Sequence, residues 1–75
     1  MNAWENRHPS TQHFAPLFKW DHLPHHLAVV SQPFAELAVR MLALPDGPEL
    51  STCLRKLLEA KDCAVRAALL SATDI

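Results

Sequence analysis

Residues 48–70, PELSTCLRKLLEAKDCAVRAALL, constrain the fold more than any other stretch of the chain. They carry leucine, valine and alanine at helical spacing around more than half of a helix circumference. A charged group, Lys61, Asp62 and Arg66, interrupts that pattern. A lone helix of this kind would leave Leu50, Leu54, Leu57, Leu58, Val65 and Leu69 partly in water, so it requires a partner. The segment just before it, residues 23–44, is the comparable candidate.

Between the two stands LPDGP, residues 44–48, the strongest punctuation in the sequence. Pro45 and Gly47 end the first helix, and Asp46 lies three residues before Glu49, the spacing of a capping box. So short a turn makes the helices antiparallel neighbours. The first helix is expected over about residues 24–44. Pro24 opens it at a position where the missing N–H costs no intrahelical bond, with Asp21 or His22 near the cap. Leu27, Val30, Phe34, Leu37, Ala38 and Met41 form its apolar stripe. Pro33 either kinks this helix or splits it, with Ser31 capping the second piece. The stripe runs on across the proline, which favours one kinked helix. The turn then covers residues 45–48 and the second helix about 48–70.

Residues 1–21 show neither a helical nor a strand period, and are expected to form a flexible, irregular, aromatic-rich arm, with residues 14–21 as an extended approach to the first helix. Trp4, Phe14, Leu17, Phe18 and Trp20 cannot all be left in water. They either close the open end of the hairpin or pack across a subunit boundary. The second helix poses the same choice: its second apolar seam needs another subunit or the N-terminal aromatics folded back.

Seventy-five residues bound one domain. With 49% apolar residues and no disulfide framework, the expectation is an all-α antiparallel helical hairpin that assembles into a homo-oligomeric helical bundle. Cys53 and Cys63 are ten residues apart on one helix, about 15 Å by helical rise, too far to pair within it. Seven Lys plus Arg against eight Asp plus Glu gives a net charge of −1. That balance lacks the dense positive field a DNA or RNA polymer calls for, but it allows a compact anion held by a few cations. No stretch has the form of a signal peptide or a membrane span, so a cytosolic protein is expected.

Lys61 falls on the line along which the apolar seam of Leu54 and Leu57 would continue. A cation there either reaches out to solvent or lines an interhelical pocket. Asp62 and Arg66, and Arg55 and Glu59, have the four-residue spacing of surface ion pairs. His22, His25 and His26 cluster near the start of the first helix. No cysteine pair, and no carboxylate beyond Asp21, completes a metal site around them, so they are read as surface or pocket-lining donors. Phe18 and Trp20 just upstream supply stacking surface. No Ser/His/Asp arrangement, paired acid–base carboxylates or glycine-rich phosphate loop is present, so neither catalysis nor a cofactor is expected.

Residues 22–69 resemble a set of small actinobacteriophage proteins. The resemblance rests on His22-Leu23-Pro24, Ser31 with Pro33-Phe34, Leu37-Ala38, the turn from Pro45 to Glu49, the run from Leu54 to Asp62, and Val65-Arg66-Ala67. More loosely, the chain is similar to the helical-hairpin family of phage signal sponges. Those proteins counter the CBASS and Thoeris defences by sequestering cyclic nucleotide messengers between protomers of dimers or hexamers, without cleaving them. The likeness implies a cyclic di- or trinucleotide or cyclic ADP-ribose-type ligand in the host bacterial cytoplasm. It also implies that Arg66, Lys61 and a histidine meet phosphate beside Asp62. The chain has no tyrosine, so Trp20 or Phe18 stands in for the residue that stacks on the base. The alternative is a phage protein–protein interaction module with no small-molecule ligand.

Overall fold

In the computed structural model, which describes residues 2–73, the chain is all-α. A one-turn helix α1 (Pro9–Gln12) is followed by a 3-10 turn (Ala15–Phe18), then α2 (His25–Met41) and α3 (Pro48–Thr73). Met1 of the expected arm and residues 74–75 lie outside the described residues.

α2 and α3 pack on one another through residues that flank the 42–47 connection: Ala38 and Leu42 on one side, Leu50 and Leu54 on the other. Gly47, at φ 157°, takes a backbone conformation that L side chains rarely adopt, immediately before Pro48 begins α3. At about 1.5 Å per residue, the 26 residues of α3 rise about 39 Å and the 17 of α2 about 25 Å, so α3 overhangs the start of α2.

α2 continues through Pro33 as a single helix, and Ser31 lies within it, fully buried. The proline is tolerated because Pro33 and Val29, whose carbonyl loses its donor, both lie on the exposed side, open to solvent. α2 begins one residue later than expected, with Pro24 at its cap, where the Pro24 carbonyl accepts from Leu27 and Ala28 at 3.0 and 2.9 Å. Asp21 sits instead beside Lys19 at 3.8 Å.

The N-terminal segment corrects the expectation of an irregular arm. Trp4, Phe14 and Phe18 are buried in the same cluster as Ala38, Leu42, Leu50 and Leu54. Each fully buried side chain of this size contributes about 1.5–3 kcal/mol, and a hairpin alone would leave these faces wet. The local devices are short. Asn2 Oδ1 accepts from Trp4 N–H at 2.9 Å, and Asn6 turns the chain at φ 62°. The His8 ring caps α1 by accepting from Ser10 N–H at 3.0 Å, with Pro9 next in line. Pro16 sits in the first turn of the 3-10 segment, so Ala15–Phe18 is not the extended approach that the sequence indicates, and extended backbone begins only at Lys19.

Polar ties hold this segment in place. Arg7 Nε donates to Asp46 Oδ1 at 3.1 Å, one Arg7 NH group donates to the Leu44 carbonyl at 2.7 Å, and the other donates to the Leu42 carbonyl. The guanidinium thus takes up carbonyls left free past the end of α2. His8 N–H donates to Asp46 Oδ2 at 3.3 Å, and Ser51 Oγ donates to the Ser10 carbonyl at 3.2 Å. Asp46 therefore binds the N-terminal segment rather than acting through the capping-box spacing with Glu49.

Candidate functional site

Where the start of α2 comes down on α3, an open groove of about 370 Å³ runs between residues 16–23 and the third quarter of α3. Leu17, Leu23 and Val65 give it apolar walls; Lys19, His22, Lys61, Asp62 and Arg66 border it. Four of the eight residues anticipated as a site, His22, Lys61, Asp62 and Arg66, thus share one groove.

Lys61 is held in place. Its side chain is only 13% exposed, and Nζ donates to the Leu17 carbonyl at 2.8 Å and pairs with Asp62 Oδ1 at 3.2 Å. The Leu17 contact ties the 3-10 segment to α3, so Lys61 neither snorkels freely nor stands unengaged in the groove. Asp62 pairs with Lys61 and not, as the spacing indicates, with Arg66. Arg66 is exposed, and among the described residues its guanidinium makes one weak contact, to Cys63 Sγ at 3.4 Å, which leaves most of its donors for a ligand. Arg55 likewise departs from its expected pairing with Glu59 and lies over the Phe14 ring, 5.8 Å from the centroid.

The aromatic residues divide. Phe18 is 3% exposed and stacks on Trp4 with centroids 6.2 Å apart, so it belongs to the core and cannot receive a base. Trp20 is half-buried and lines an adjoining groove of about 440 Å³ together with Asn2, Phe18 and Val39. Pro16 and Lys19 line both grooves, so the two meet at that edge. His25 and His26 are exposed on the first turn of α2 and line neither groove. Among the described residues, no three His, Cys, Asp or Glu side chains gather as metal ligands. Nor is any helix long and apolar enough to cross a membrane.

Lys19 is the groove residue that the sequence pattern did not single out. Its nearness to Trp20 and His22 was visible, but its meeting with α3 depends on the 3-10 turn. Outside the groove, the Asp46 carboxyl is held below the ordinary carboxylate value, chiefly by the Thr11 hydroxyl. Desolvation opposes that lowering, and the His8 N–H and Arg7 guanidinium reinforce it. Thr11 Oγ1 is buried beside the carboxylate, close enough to favour the anion though short of full hydrogen-bond geometry.

Comparison with protein-family models, with curated proteins and with solved structures finds no match to this chain.

Proposed function

We propose that this chain is a non-enzymatic binder of a cyclic nucleotide messenger, a phage protein that sequesters the messenger in the host bacterial cytoplasm and so blunts CBASS or Thoeris-like defence. The observation that carries this reading is the convergence of Lys19, His22, Lys61 and Arg66 on one groove with apolar walls. Arg66 offers paired donors suited to a phosphate, Lys61 adds a fixed charge behind it, and His22 adds a ring donor. Asp62 balances Lys61 and presents an acceptor toward a base or a sugar hydroxyl. Trp20, around the Pro16–Lys19 edge, is the stacking surface within reach. The resemblance of residues 22–69 to phage proteins supports the biological setting.

In this reading the antiparallel hairpin is the protomer of a homo-oligomeric bundle, a dimer or hexamer. The groove is open on one side, and a second copy supplies the missing wall. The ligand is held and released intact, with no cofactor.

Titration calorimetry of the full chain against 2′,3′- and 3′,5′-linked cyclic di- and trinucleotides and cyclic ADP-ribose isomers tests the proposal. Binding of at least one tighter than about 100 µM, roughly −5.5 kcal/mol, is expected. No heat from any member of the panel contradicts it.

A second reading, a protein–protein interaction module of phage origin without a small-molecule ligand, is favoured by the exposed Val29, Leu37 and Val39 on α2. Capture of one host protein in fixed stoichiometry, with no small molecule released on heating the purified chain, would select it.

A further inference from the structure

Among the described residues, seven large apolar side chains are exposed. Four of them, Val29, Leu37, Val39 and Leu44, lie on α2 or just past its end. Val29, Pro33 and Leu37 follow one another at four-residue steps and form a single ridge along the outward side of the helix, opposite Ser31, Ala38 and Leu42 in the core. Pro33, Glu36, Leu37 and Arg40 enclose a shallow depression of about 360 Å³ on that side, room for a protruding aliphatic side chain.

The charges beside the ridge are arranged unusually. Glu36 and Arg40 stand one turn apart in the order that favours an intrahelical ion pair, yet no ion pair joins them among the described residues. Glu36 accepts instead from Gln32 Nε2 at 3.2 Å. An acid and a base on the outward face, one turn apart and unpaired, form a pattern that becomes complementary to itself when reversed.

We propose that the outward face of α2 is a self-association surface on which α2 of a second copy packs antiparallel, Glu36 of each copy paired with Arg40 of the other. A two-fold axis level with residue 38 brings this about. It sets Glu36 opposite the second Arg40 along one flank, brings Leu37 beside the second Leu37 along the other, and lays Pro33 level with the second Leu44. Pro33, Leu37 and Leu44 then meet apolar side chains of the second copy, and both charges are satisfied beside them. The self-complementary order of the charges identifies the occupant as a copy of this chain rather than an unrelated protein. The inference adds to the self-association proposed above a contact surface separate from the groove wall, and rests on that assembly alone, not on the ligand.

The test is sedimentation equilibrium of the full-length chain and three variants: Glu36→Arg, Arg40→Glu and the double reversal. The wild type is expected to associate. Each single reversal should weaken association at least tenfold, while the thermal midpoint of the helical signal, read at a concentration where wild type is monomeric, stays in place; the double reversal should restore association to within about threefold of wild type. An assembly indifferent to all three variants overturns the α2 surface and leaves self-association standing through another face. A wild type that remains monomeric up to about 100 µM overturns both, as does a stoichiometric complex of a monomeric chain with a different protein on this face.

Discussion

Arg7 and Asp46 lie 39 positions apart, and their side chains meet at 3.1 Å. The contact joins the start of the chain to the turn between the two long helices. The same guanidinium holds the carbonyls of Leu42 and Leu44, so one side chain fixes both the exit from α2 and the path of the N-terminal segment. Replacing Arg7 with Ala is expected to lower stability by about 1–2 kcal/mol, because carbonyls paired with a charged donor lose it. Thermal or urea unfolding of the full chain reads this directly.

Asp46 contributes to the acid limb of stability. Its carboxyl titrates lower in the folded chain than in the unfolded one. The contribution is therefore complete above the unfolded value of about 3.9 and is lost as the pH falls through the lower folded value. Asp46→Asn should flatten the loss of stability below about pH 4, and Thr11→Val should move the Asp46 titration upward. Parallel acid denaturation of wild type and Asp46→Asn would show that the carboxylate plays no such part.

Phe14 is 1% exposed and sits between the N-terminal segment and α3, while Leu17, three residues on, is 46% exposed. Phe14→Ala is expected to cost about 3–5 kcal/mol and Leu17→Ala within about 0.5 kcal/mol. Similar small losses for both would mean that the N-terminal segment adds little to the core. A chain this short has little reserve, so Phe14→Leu provides the intermediate step if the alanine variant does not fold.

Asn6 has φ 62°, the left-handed region that asparagine and glycine enter at least cost. Asn6→Gly should leave the melting temperature within a few degrees of wild type. Asn6→Val should lower stability by about 1–2 kcal/mol, since a β-branched side chain is strained there. Equal melting temperatures for the two variants would rule out the turn as a fixed feature of the fold.

Much of the fold was legible because its signals are local. The leucines of residues 48–70 and the stripe of residues 24–44 announce helices by their period, and Pro45 and Gly47 mark the break. The structure differs by three residues at the end of each long helix. The N-terminal segment was not legible as a folded element. Trp4, Phe14 and Phe18 have no shared period, and what orders them is contact with Ala38, Leu42, Leu50 and Leu54 far along the chain. Pro9 and Pro16 at the openings of the short helical turns were the available local signal. The site divides in the same way. Asp62 and Arg66 share a helix face by their four-residue spacing, and the fold brings Lys61 and His22 to the same groove. Phe18, chemically suited to stack on a base, is consumed by the core because Trp4 reaches it from outside the hairpin.

The central claim is that the groove beside Lys61 and Arg66 takes a phosphate-bearing ligand, and one comparison tests it most directly. The best-binding cyclic nucleotide of the panel is titrated into wild type, Arg66→Ala and Lys56→Ala, the last an exposed cation on α3 that does not line this groove. The account predicts at least tenfold weaker binding for Arg66→Ala, about 1.4 kcal/mol, with an unchanged melting temperature and no loss for Lys56→Ala. Equal affinity for all three proteins, or equal weakening by both substitutions, would contradict it.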